Sequence, residues 1–249
     1  MPTFKITLAY DGTDFVGWQR QASGVSIQGL LEDALRELDN RPLVVTAAGR
    51  TDAGVHALGQ VAGFSLERTI AADTLLQALN VRLPGDIRVV SAEEVPSAFH
   101  ARFGARTKTY RYRIWNADVI TPFERRYAWH VIGGLDVAAM AAAARLLEGR
   151  HDFAAFQAAG GSAQTTERIV SSSIIGRPVQ DEPLITYEIT GNGFLRHMVR
   201  NVVGTLLEIG RGRRPVDWMH QALMSRDRTC AGATAPPQGL FLVAVEYVD

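Results

Sequence analysis

Apolar residues at alternate positions mark half-buried strands along much of the chain, and stretches with a period near 3.6 mark helices between them. Strand patterns fall at 4–10, 43–48, 60–66, 87–95, 109–115, 127–131, 169–175, 184–190 and 240–247. Ile27, Leu30, Leu31, Ala34, Leu35 and Leu38 follow the helical period behind Ser26, whose hydroxyl suits an N-cap. A shorter helix is predicted over 74–81. Asp136 should cap an alanine-rich helix that runs to Glu148 and stops at Gly149, and Pro215 should open another through Met224. The order strand-helix-strand-strand-helix-strand in the first hundred residues suggests a ferredoxin-like half, and a second half of similar content follows. Because strands and helices alternate without strict βαβ regularity, the pattern predicts an α+β fold with helices packed on one face of a sheet. No linker composition separates the halves, and the division is placed between 1–104 and 105–249. Residues 158–166, Ala-Ala-Gly-Gly-Ser-Ala-Gln-Thr-Thr, read as a flexible loop.

At 249 residues, with 47% hydrophobic and 21% charged, the chain can bury a substantial core. No apolar run reaches the ~18 residues of a membrane span, and Met1-Pro2-Thr3-Phe4-Lys5 leads straight into a strand pattern, so a cytoplasmic protein without membrane contact is expected. Cys230 is the single cysteine, which leaves no internal disulfide and no thiolate metal cluster. His56, His100, His130, His151, His197 and His220 show no paired ligand spacing, so no metal is expected.

Lys and Arg balance Asp and Glu at 26 each, yet the charge is uneven. Arg102, Arg106, Lys108, Arg111, Arg113, Arg125 and Arg126 face only Asp118 and Glu124 within 100–130, and Arg196, Arg200, Arg211, Arg213 and Arg214 face only Glu208 within 196–214. Two such clusters point to an anionic partner, since guanidinium forks match phosphate geometry. A solvated surface would account for either cluster taken singly.

Three stretches carry candidate chemistry. In 48–64, Gly49 and Gly54 bracket Arg50-Thr51-Asp52 between two strand patterns, a build that presents one acid on a loop. Residues 194–209 form a helical pattern, apolar on one broad side, with Arg196, His197, Arg200, Asn201 and Gly204 on the other. Two arginines four apart repel each other and call for an anion, either a phosphate or a carboxylate such as Asp52. In Thr109-Tyr110-Arg111-Tyr112-Arg113 the tyrosines share one strand face and the arginines the other, which suits base stacking beside phosphate contacts and equally a half-buried strand with a charged outer side. Phosphate-loop, dinucleotide and nucleophile-elbow motifs are absent, a zinc deaminase lacks its cysteine pair, and a glycosidase lacks its second acid. One carboxylate, arginines and a tyrosine are left, with no evident cofactor. A non-catalytic RNA-binding protein or RNA chaperone would need the same arginines and tyrosines but not Asp52.

Gly49-Arg50-Thr51-Asp52-Ala53-Gly54-Val55-His56-Ala57 resembles the catalytic motif of the TruA family of tRNA pseudouridine synthases. Further blocks resemble the family in order: 10–19 (Tyr-Asp-Gly-Thr-Asp-Phe-Val-Gly-Trp-Gln), 99–103, 108–112, 197–204 and 239–242. The resemblance implies isomerisation of uridine to pseudouridine at positions 38, 39 and 40 of the tRNA anticodon arm, without a cofactor. It implies that Asp52 is the nucleophile and that Tyr110 packs on the target base and is available to take the C5 proton. By the same likeness Arg200 pairs with Asp52, Arg50 enters the RNA stack as the nucleotide flips, and Leu240 lines the uracil pocket. Arg196 and His197 are expected to contact the substrate as well. The family's architecture is two ferredoxin-like, RRM-like halves sharing a mixed, mainly antiparallel sheet around a central basic cleft, helices outermost, in a homodimer. Three chemical steps fit the aspartate: attack on C1′, addition to C6, or elimination to a glycal.

Overall fold

The computed structural model describes residues 1–161, 163–180 and 182–247. It is an α+β protein whose backbone gathers into two compact units, Met1–Arg106 with Phe241–Asp249, and Thr107–Leu240.

The first unit begins with β1 (Thr3–Tyr10), α1 (Ile27–Asp39), β2 (Thr46–Ala47), β3 (His56–Ser65), α2 (Ala72–Arg82) and β4 (Ile87–Val95). β1 runs antiparallel to both β3 and β4, and β2 is antiparallel to β3 at Thr46 opposite Gly63. Phe4, Ile6, Leu8 and Tyr10 alternate inward as the sequence requires. Ser26 caps α1, its hydroxyl accepting from the Gly29 N–H at 3.2 Å, and Asn40 ends the helix in the left-handed region at φ 54°. Ile27, Leu31 and Leu35 on this helix are fully buried, each contributing roughly 1.5–3 kcal/mol relative to exposure.

The strand expected over 43–48 is reduced to β2. The reason lies in α1: Gln28 Nε2 donates to the Val45 carbonyl at 3.2 Å, and Glu32 Oε1 accepts from the Val45 N–H at 3.2 Å. Helix side chains thus satisfy the Val45 backbone that a strand ladder would have used. β3 begins at His56, before the predicted Gln60, which shortens the loop carrying Asp52.

The second unit contains β5 (Ala105–Asn116), β6 (Trp129–Val131), α3 (Val137–Arg145), β7 (Gly149–Asp152), β8 (Glu167–Gly176), β9 (Leu184–Gly191), α4 (Met198–Gly210) and α5 (Trp218–Ser225). β5, β9, β8 and β7 are neighbours in that order, all antiparallel, with β6 parallel to β5. Asp136 caps α3 as expected, accepting from the Ala139 N–H at 2.9 Å. The helix ends before Glu148, because the N–H groups of Leu146, Leu147 and Glu148 reach back three residues instead of four. Gly149 at φ 105° then turns the chain into β7, which the sequence pattern did not predict. Residue 162, within the loop expected over 158–166, lies outside the described residues.

Leu240–Tyr247 forms β10, which pairs parallel with β3, Phe241 opposite His56 and Leu242 opposite Ala57. The division at 104/105 puts this strand in the second half, whereas Phe241 onward groups with the first unit through its pairing with β3. Among the described residues no helix is long and apolar enough to cross a membrane.

Candidate active site

In the first unit, the 48–55 loop is held from below and from the side. The Val55 N–H donates to the Asp52 carbonyl at 3.2 Å, closing a turn in which Gly54 takes φ 75°. Gly49, on the other side of Arg50-Thr51-Asp52, does not take a positive φ. The 10–19 segment lies against the turn: Trp18 N–H donates to the Thr51 carbonyl at 3.0 Å and Gly54 N–H to the Phe15 carbonyl at 3.4 Å. A Cβ at Gly12 would lie 2.0 Å from the Val55 carbonyl oxygen, so that close approach admits only glycine. Asp52 is half-buried, Arg50 is exposed and Thr51 is buried.

Beneath the loop lies a polar cluster that the sequence pattern did not single out. Tyr10 Oη and Thr51 Oγ1 share a hydrogen bond of 2.8 Å, and Gln60 Nε2 donates to the Gly49 carbonyl at 2.8 Å. Burial pushes the Tyr10 phenol up to about 12, against smaller lowering effects of its bonds to Thr51 and Gln60, so its proton stays in place at neutral pH. His56 is 1% exposed; its Nδ1 accepts from the Gly12 N–H at 3.0 Å, lies 3.1 Å from Asp11 Oδ1, and its ring stacks on Phe241 at 4.6 Å. A polar residue inside an otherwise apolar strand is the sequence signal for Gln60, whereas His56 lies within the 49–57 motif itself.

In the second unit, Tyr110 is 8% exposed and meets Phe194 edge-on, centroids 5.0 Å apart. Tyr112, on the same face, is fully buried and donates to the Pro236 carbonyl at 2.7 Å; burial drives its phenol well up, with the Arg200 charge pulling weakly the other way. The arginines of the opposite face are paired, Arg111 with Glu188 and Arg113 with Glu124, each at 2.8 Å. That side of the strand therefore follows the plainer expectation of a charged outer surface.

α4 begins at Met198, four residues later than predicted, because His197 sits at φ 60° and breaks the helix ahead of it. Arg196 is thus outside the helix, and the neighbour relation to Arg200 does not arise. Its guanidinium donates instead to the Ala159 carbonyl at 2.7 Å, while its own carbonyl accepts from the Ala158 N–H, tying down the start of the 158–166 loop. The supposed polar side of α4 is covered by 228–235. Asn201, fully buried, donates to the Phe156 carbonyl and accepts from Arg228 and Thr234. A Cβ at Gly204 would lie 1.7 Å from the Ala233 carbonyl oxygen. Arg200 is fixed to the same segment, Nε donating to the Ala235 carbonyl at 2.7 Å. Leu240 is 6% exposed at the start of β10.

Arg50 and Asp52 therefore stand on one turn of the first unit, whereas Tyr110, Arg196, His197, Arg200 and Leu240 belong to the second. A family model described as tRNA pseudouridine synthase matches residues 6–104 and 143–248. The chain belongs to the tRNA pseudouridine synthase family. Proteins named tRNA pseudouridine synthase A are similar along its whole length: that of Myxococcus xanthus is 47% identical, covering 100% of this chain and 93% of the relative. The Moorella thermoacetica protein is 48% identical, covering 99% of this chain and 100% of the relative, and that of Geobacter sulfurreducens is 46% identical with the same coverage. The archaeal box H/ACA sRNP Nop10-Cbf5 complex superposes with a TM-score of 0.36 at 12% identity, over 82% of this chain and 44% of that one. Members of the tRNA pseudouridine synthase family are isomerases. The model's two matched segments contain Asp52, Arg200 and Leu240; Tyr110 falls between them.

Proposed function

We propose that this enzyme isomerises uridine to pseudouridine at positions 38, 39 and 40 of the tRNA anticodon stem-loop. The observation that carries the reading is the full-length similarity to proteins named tRNA pseudouridine synthase A, joined to an aspartate on a turn against which Gly12 and Gly17 pack too closely for a side chain. In the reaction the N1–C1′ bond breaks, the uracil turns, and C5 bonds to C1′. The C5 proton leaves and N1 regains one, so no redox partner or energy source is needed.

In this reading Asp52 is the nucleophile, and its carboxylate serves attack on C1′, addition to C6 or elimination to a glycal. Arg200 pairs with Asp52 and holds its charge; the bond from Arg200 Nε to the Ala235 carbonyl supports this by fixing how the guanidinium is oriented. Tyr110 packs on the uracil and takes the C5 proton, and Leu240 lines the base. Arg50 fills the gap left when the nucleotide flips, a role its exposed position on the turn allows. Arg196 and His197 contact the substrate beside the 158–160 segment that Arg196 holds. The enzyme acts as a homodimer in the cytoplasm.

The test is tritium release from unmodified tRNA carrying 5-³H-uridine. Wild-type protein should release tritium, and Asp52→Asn should lose detectable release while binding tRNA with unchanged affinity. Absence of release by wild type on several tRNAs sinks the enzyme reading and leaves the RNA-binding alternative. Release together with intact pseudouridine at positions 38–40 in cells lacking the protein would refute the choice of positions.

A further inference from the structure

The loop that carries Asp52 stands on a buried hydrogen-bond chain. The Gly49 carbonyl can only accept, so the Gln60 amide must turn its nitrogen toward it, at 2.8 Å. The same Nε2 lies 3.4 Å from Tyr10 Oη and can only donate there. Tyr10 Oη in turn shares a hydrogen bond of 2.8 Å with Thr51 Oγ1. The links therefore run without a break from Gly49 through Gln60 and Tyr10 to Thr51. The orientation leaves Gln60 Oε1 buried without a hydrogen-bond partner, a cost the fold accepts to keep both donor bonds.

Strand register explains why these side chains meet. β1 and β3 pair Leu8 with Gln60 but Tyr10 with Ala57, a bulge that re-aims Tyr10 beneath the loop. Gln60 is fully buried and Tyr10 4% exposed, so water does not compete for these bonds. The chain ends on Gly49 and Thr51, the residues on either side of Arg50, and Thr51 precedes Asp52.

We propose that Tyr10 and Gln60 are positioning residues for the Asp52 turn: their buried relay fixes Gly49 and Thr51 and so sets how Arg50 and Asp52 are presented to the substrate. This rests on the reading of Asp52 and Arg50 given above. Neither Tyr10 nor Gln60 need touch the uridine. Their effect belongs in the rate of the chemical step, because a misplaced nucleophile costs turnover more than binding.

The experiment compares two phenylalanine variants. Tyr10→Phe removes the relay's central hydroxyl. Tyr187→Phe removes an equally buried one that is 3.0 Å from Ser173 in the second unit, so it reports the general cost of losing such a bond. Tyr10→Phe should lower kcat for tritium release by about 10-fold to 100-fold with KM for tRNA within about twofold. Tyr187→Phe should leave kcat within about twofold, even where both variants melt earlier by similar amounts. Hydrogen–deuterium exchange of the 48–55 amides should speed up in Tyr10→Phe and stay at the wild-type rate in Tyr187→Phe. Unchanged exchange across 48–55 in Tyr10→Phe overturns the proposal whatever kcat does, and so does a kcat matching that of Tyr187→Phe. Wild-type protein that releases no tritium would instead sink the isomerase reading, and the exchange comparison alone would then decide the relay.

Discussion

Asn201 employs both ends of its amide: Nδ2 donates to the Phe156 carbonyl at 2.8 Å, and Oδ1 accepts from Thr234 at 2.6 Å and Arg228 at 3.1 Å. Asn201→Ala would strand the Phe156 carbonyl and two donors, and should destabilise the protein by about 2–3 kcal/mol. A lower urea midpoint with an unchanged slope would show it; an unmoved midpoint would mean that the 228–235 segment holds without Asn201. In sequence Asn201 could be assigned only to the polar side of a helix. Periodicity reports which residues share a side but not what lies against it, and 228–235 has no period of its own. The tyrosine–arginine alternation was legible for the opposite reason, since a strand's faces follow from position alone. The partners of Arg111 and Arg113, Glu188 and Glu124, come from other segments and carry no local mark.

Elements were most legible where a single strand or helix supplies its own signal. β4 and β10 begin and end where the alternation does, and the Ser26 cap marks the start of α1. β7 was invisible because Gly-Arg-His-Asp has no apolar alternation, and the 43–48 run misled because the Val45 backbone is bonded by side chains of a helix. The end of α1 also carries a pH dependence. Burial alone would raise the Asp39 carboxyl, but bonds from the Arg68 N–H, the Arg41 guanidinium and the Glu67 N–H together hold it below its ordinary value of 3.8. A carboxyl depressed in the folded state stabilises at pH values above its unfolded pKa, and that stability disappears as pH falls through the lower folded value. Unfolding midpoints should therefore hold steady down to about pH 5 and decline below about pH 4, with a shallower decline in Asp39→Asn. An equal decline in both proteins would remove Asp39 from the account.

At the scale of the whole molecule, charge was readable as clusters but not as available charge. Arg111 and Arg113 are paired with acids, and Arg211 and Arg213 both lean on Glu208, so part of each cluster is already neutralised. If four to six of the remaining basic groups meet phosphates, the logarithm of tRNA affinity should fall against the logarithm of salt with a slope of about −3 to −5. Fluorescence anisotropy across a salt series measures it, and a flat response would take these clusters out of RNA contact. The placement of β10 was beyond the reach of local pattern, since strand pairing between distant segments leaves no trace in either one. That placement bears on how the protein is made. All of the second unit leaves the ribosome between His56 and the strand that pairs with it. A nascent chain halted before β10 would carry β3 with an open edge beside the Asp52 turn and His56 without its Phe241 cover, a state prone to strand-to-strand association.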